Sequence, residues 1–237
     1  MFTRQLMVPS RERRLYEAIL RSAPQIYYPM SEHNGIIAYN KANISRFFSR
    51  GDLSPSPLID QPGKVGKAYS FDGVNDVLVS TTSNPSSTDL TVSGILNWGG
   101  SPNNANTTQH IVSKRDVFSS NMMWGLALDK TNSYKFLVYG NGGAFPFWNY
   151  IPPVGTPIYF AWRHRNGGGE DLIINGTFHS TISVITFGTG TSSNLRIGSV
   201  DTSSAEFLKG VLQHVAVHPF AVGDEVLRKF ARIGGFI

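Results

Sequence analysis

Residues 66–79, GKAYSFDGVNDVLV, constrain the fold of this chain more than any other stretch. They read as strand, tight turn, strand. Ala68 and Ser70 alternate with Tyr69 and Phe71, the two-residue period of a pleated segment. At Asp72-Gly73 the glycine can take a positive φ and the aspartate can bond the backbone beyond it, which signals a turn. Val77, Leu78 and Val79 then favour an extended chain again. The same punctuation runs through the whole sequence, with 24 glycines, 13 prolines and 12% aromatic residues. That mix suits many short strands joined by turns. At 237 residues the chain can bury a full core as one all-β domain.

Composition removes several chemistries. With no cysteine, a disulfide framework, a thiolate metal site and a cysteine nucleophile are excluded. There is no run of about 18 apolar residues, so no membrane span and no membrane partner is expected. Residues 1–14 lack an apolar stretch followed by a small-residue cleavage site, so no signal peptide is expected. Residues 1–50 hold eight Lys/Arg against three acids, which accounts for the whole net charge of +5. The remainder is balanced. A neutral body argues against nucleic-acid binding, which needs a basic face of its own.

One long helix is expected at the N-terminus, with Ser10 as N-cap and Pro24 as its stop. Leu15, Ala18 and Ile19 form an apolar stripe, while Arg11, Arg13, Arg14 and Arg21 take other positions. Residues 1–23 are thus expected as a basic helical arm and residues 24–237 as the domain proper. Two readings of the helix stay open: packing on its own domain with a solvated basic face, or docking to a partner. A short helix is expected over residues 224–232, with Val226, Leu227 and Phe230 inward.

Strand signals fill the interval. They cover residues 90–98, 110–116, the hairpin 124–129 with 134–139, and 158–165 followed by a turn at 166–169 and a return from Asp171. Two more lie at 195–198 and 207–218. In this order the segments resemble the laminin-G-like branch of the concanavalin A-like jelly rolls. GKAYSFDGVNDVLVS resembles G-x-A-x-x-F-D-G-x-x-D-x-V, HIVSKRD resembles x-I-[VIL]-S-K-x-D, and the I-N-G ending at Asn175-Gly176 and the L-x-I-G at Leu195 follow suit. Tyr28, Ile95 and Pro157-Ile158 stand where the family carries tryptophan, and Gln213 and His214 where it carries acids.

The resemblance implies an all-β, two-sheet antiparallel jelly-roll sandwich with a helix at each end of the chain. The leader PQIYYPMSE is similar to phage and bacterial examples of the family. It implies a virion or surface structural protein, a capsid-decorating or tail accessory protein, placed on a virion or extracellular surface. Partners would be other virion or surface proteins, or further copies of the chain. The alternative is a carbohydrate- or receptor-binding module with a glycan partner. A glucan hydrolase ranks last, and the chain is expected not to be an enzyme. Glycoside cleavage needs two carboxylates about 5–9 Å apart, and no Asp/Glu pair at i, i+2 lies on an expected strand. Glu170-Asp171 and Asp224-Glu225 are placed at a turn and a helix start.

Three features could carry binding. Asp72, Asn75 and Asp76 offer oxygen ligands within five residues, and the resemblance makes calcium a candidate; the same side chains can instead brace the turn. No other cofactor is expected. The loop with Phe145, Phe147, Trp148 and Tyr150 is the candidate contact for a partner or glycan, with closure of the core as its alternative. The histidines read as surface or rim residues. His214 and His218 would lie about 13 Å apart along one strand, too far to share a metal.

Overall fold

The stripe on the first helix and the alternation along the strands dictate a two-layer body with a helical cover. A computed structural model describes residues 10–32, 37–42, 47–49, 57–83, 88–101, 108–115, 122–141, 145–188, 194–200 and 206–237. Helix α1 spans Arg11–Arg21. The strands follow as β1 Ile26–Tyr28, β2 Ile37–Tyr39, β3 Phe47–Ser49, β4 Leu58–Pro62, β5 Lys67–Asp72, β6 Leu78–Ser83, β7 Leu90–Trp98 and β8 Thr108–Arg115. Then come β9 Met122–Asp129, β10 Lys135–Tyr139, β11 Ile158–Arg165, β12 Gly169–Ile174, β13 Thr177–Ile182, β14 Asn194–Ile197 and β15 Lys209–His218. Helix α2, Asp224–Gly234, ends the order.

Among the described residues the strands form two antiparallel sheets, an all-β jelly-roll sandwich. One sheet runs β13-β12-β11-β7-β15-β5-β4, with β1 also paired to β15. The other runs β10-β9-β8-β14-β6-β3-β2. Their inner faces interdigitate, with Trp124 of β9 set edge-on to Trp162 of β11 at 5.7 Å. The strand, turn and strand of the opening motif are present, with the turn at Asp72-Gly73. Its two strands do not pair with each other: β5 lies in the first sheet and β6 in the second. The turn therefore carries the chain across the sandwich.

The first sheet is buried on both faces at its centre, though not along β13 and β4. Its outer face meets α1 and α2 in a second core that contains Leu15, Ile19, Tyr159, Ile173, Leu227 and Phe230. This is why β7 is buried at nearly every position instead of every other one. Ser10 caps α1 by accepting from the Arg13 N–H at 3.2 Å, as its sequence position suggests. Burial of Leu15 and Ile19 contributes about 1.5–3 kcal/mol each to holding α1 on the sheet. Arg11, Arg13, Arg14 and Arg21 are exposed, and Arg13 pairs with Glu17 one turn on at 2.9 Å. In α2 the inward set is Leu227, Phe230 and Ala231; Val226 is exposed.

Candidate binding cleft

The hairpin of β11 and β12 places charged side chains alternately inside and outside the sandwich. Trp162 and His164 point inward, and Leu172 and Glu170 stand opposite them. Arg163, Arg165 and Asp171 point outward. Gly169 permits the join: its φ is +90° and an added Cβ would meet the Ile182 carbonyl oxygen at 2.7 Å. Glu170 was expected at a turn, yet it is the second residue of β12 and is fully buried.

Glu170 is held on every side. Oε2 accepts from the Trp162 indole N–H at 2.7 Å. Oε1 accepts from the Ile185 N–H at 2.9 Å and lies 2.6 Å from His164 Nδ1. Its carbonyl accepts from the Trp148 indole N–H at 3.1 Å. A buried carboxylate stays in place only when its oxygens are satisfied in this way. His164 lies against Phe187, with ring centroids 4.1 Å apart and planes 28° apart. Its Nε2 has no partner among the described residues.

Beside His164 opens a cleft of about 550 Å³, within the range of small-ligand sites. Met123, Val184, Ile185 and Phe187 give it apolar walls, and Thr88, Asn166 and Thr186 supply polar edges. Sequence reasoning missed this site. The sequence places His164 at the rim and Glu170 at a turn; the signal for the site is the strand parity that both share with Trp162 and Leu172.

The outward cluster on the same hairpin is closed. Asp171 accepts from Arg163 at 2.9 and 3.0 Å, from Arg165 at 2.9 Å and from Thr181 Oγ1 at 2.6 Å. Arg163 goes on to the Val222 carbonyl at 2.9 Å and to Asp224 at 2.7 Å, which fastens the start of α2 to the sheet.

The aromatic segment divides. Residues 146–150 hydrogen-bond along β10: Trp148 N–H to the Phe136 carbonyl at 2.9 Å, Phe136 N–H to Tyr150 at 3.1 Å, and Val138 N–H to Pro146 at 3.1 Å. Phe145 and Phe147 are exposed; Phe145 leans on Tyr139 at 4.8 Å, and Lys135 Nζ sits 5.1 Å from the Phe147 centroid. Tyr150 is half-buried, with its ring edge to His179 at 5.3 Å. Trp148 is fully buried in the inter-sheet core. It is therefore a core anchor, which corrects its expected place in the contact set.

Asp72, Asn75 and Asp76 brace their turn. Asp72 Oδ1 accepts from the Val74 and Asn75 N–H groups at 2.7 and 3.2 Å, and Asp76 Oδ2 accepts from the Asp72 N–H at 2.7 Å. Among the described residues no group of three or more His, Cys, Asp or Glu could hold a metal ion. The histidines correct the rim reading. His164, His214 and His218 are all buried, and only His179 of the strand histidines named above is exposed. His214 Nδ1 lies 2.6 Å from the Tyr27 hydroxyl, and His218 Nε2 lies 2.8 Å from Ser22 Oγ. A bulge between Gln213 and Ala216, with His214 at φ +50°, breaks the simple parity between the two. Burial pushes both imidazoles down to about 4.

No protein-family model matches the chain, and no curated protein matches it. Its fold is similar to solved structures. Trypanosoma rangeli sialidase in complex with sialic acid is 10% identical with a TM-score of 0.63, over 93% of this chain and 37% of that one. The binding domain of botulinum neurotoxin serotype D is 10% identical with a TM-score of 0.65, over 91% of this chain and 52% of that one. The chain thus spans well under two thirds of either. At this identity the likeness shows the fold, a β-sandwich, and transfers no residue's role. It also corrects one expectation. The chain is expected not to be an enzyme, and that expectation does not stand: several of the similar structures are of a sialidase.

Proposed function

We propose that the chain is a carbohydrate- or receptor-binding module that takes its ligand in the cleft beside His164. The observation that carries this reading is the cleft itself, about 550 Å³ with apolar walls and a buried, oriented imidazole on its surface. The solved structures of similar fold are in keeping with it: one holds sialic acid, and another is a toxin's binding domain. A printed array of neutral and sialylated glycans tests it, with the wild type beside Val184→Trp. Val184 is exposed on the cleft wall, so tryptophan there fills the cleft without touching the core. Loss of array signal in the variant supports the reading. Equal signals in the two proteins would move the ligand elsewhere.

The virion or surface structural role ranks second. It rests on the leader motif and on the four exposed arginines of α1, and no similar structure named above favours it. Charge reversal of Arg13 and Arg14 tests it without disturbing Leu15 and Ile19. Unchanged incorporation into a particle would end that reading.

A further inference from the structure

The cleft has an unusual electrical composition. Its described lining includes no Lys or Arg, and its one ionisable side chain is His164. Behind His164 stands a carboxylate. Glu170 already accepts two unambiguous donors, the Trp162 indole N–H and the Ile185 backbone N–H. A carboxylate is acceptor-only, so the remaining short approach, 2.6 Å to His164 Nδ1, needs the proton on the histidine. Phe187, stacked on the imidazole, keeps the ring from turning. The other nitrogen, Nε2, has no partner among the described residues, and His164 lines the cleft.

We propose that Glu170 fixes His164 as the Nδ1–H tautomer, so that Nε2 accepts a hydrogen bond from a hydroxyl of a neutral, hydroxylated ring such as a hexopyranose. This rests on reading the cleft as the ligand site. A pyranose fits the rest of the lining. Its C–H face covers Phe187 and the Met123–Val184 side, and its remaining hydroxyls reach Thr186 and Asn166 at the edge. An acidic sugar fits less well. No described lining residue offers a cation, and the Glu170 charge lies directly behind the acceptor. The selection is therefore for a donor and against an anion.

Two measurements separate this inference from the reading beneath it. The first uses ¹⁵N-imidazole NMR of the unliganded wild type at pH 7.5. The expected spectrum has Nδ1 protonated and Nε2 bare. A proton on Nε2, in the other tautomer or in an imidazolium, overturns the inference and leaves the Val184→Trp array result to judge the cleft. The second is saturation-transfer NMR with the methyl glucosides, galactosides and mannosides, and with the methyl glycoside of N-acetylneuraminic acid.

At least one neutral glycoside is expected to bind more tightly than the sialoside. In His164→Asn its affinity is expected to fall at least tenfold. Asparagine can still donate to Glu170 and lacks the Nε2 acceptor, so the melting curve tells a lost fold from a lost contact. Binding of the sialoside alone, or of none of the hexosides, overturns the ligand class. Unchanged hexoside affinity in a folded His164→Asn overturns the role of Nε2.

Discussion

Two charged clusters sit on one hairpin, a single residue apart, and they do different work. Outside the sandwich, Asp171 is saturated by Arg163, Arg165 and Thr181, and Arg163 spends its remaining donors on α2. Inside, Glu170 is equally well held, yet among the described residues the chain of contacts stops at His164, whose other nitrogen has no partner beside the cleft. The same two strands supply both, because successive side chains of a strand leave on opposite faces. A closed network fixes architecture. A network left open by one group at a concave surface is where a ligand can add the missing partner.

Breaking the closed cluster has the largest expected effect. Asp171→Ala leaves Arg163 without its main partner on the sheet and loosens α2, for a loss of about 3–5 kcal/mol read from the denaturant midpoint. Glycan affinity per folded molecule should be nearly unchanged. A stability change under about 1 kcal/mol would erase the distinction between the clusters.

Acid sharpens the comparison from another side. His214 and His218 each have one buried nitrogen with no hydrogen-bond partner among the described residues, and neither lines the cleft beside His164. Each imidazole is ordinary, near 6.5, in the unfolded chain and lowered to about 4 in the folded one. Between those values the unfolded chain binds more protons, so stability is full above pH 6.5 and falls as the pH drops toward 4. The loss amounts to roughly 3 kcal/mol per histidine at its end. Melts from pH 7 to 4 should show it, and His218→Asn should flatten part of the slope. A flat profile would mean that neither ring is desolvated.

Smaller effects follow on the open side. His164→Asn is expected to lower stability by about 1–2 kcal/mol, well below Asp171→Ala, while it abolishes most binding. Equal stability losses at the two sites would make the inner pair another structural clamp. The least effect belongs to Thr181→Val, about 1 kcal/mol for one of the several bonds to Asp171.

The sheets were more legible than the site. Strand β7 spans the residues that its apolar run marks, and Ser10 caps α1 where the sequence puts it. Local chemistry decides such features. The crossing at Asp72-Gly73 was legible as a turn but not as a passage between sheets, because pairing partners are distant in sequence. Strand β12 begins at Gly169, two residues before the expected Asp171, and Glu170 falls in that extension, where strand parity turns it to the inner face. In the segment 145–150 the period is present, with Phe145 and Phe147 outward and Trp148 inward. Aromatic rings occupy both parities there, so hydrophobicity could not say which side faced the core.

That segment has a last consequence for how the protein meets other chains. By lying along β10, residues 146–150 occupy amides and carbonyls that an exposed edge strand would offer to any extended peptide. The new border carries Pro146, which has no N–H to donate. Strand addition and fibril-like stacking are thereby discouraged on this flank. Recognition there has to proceed through rings and the Lys135 ammonium, surfaces that discriminate between partners, whereas an open backbone ladder accepts almost any sequence.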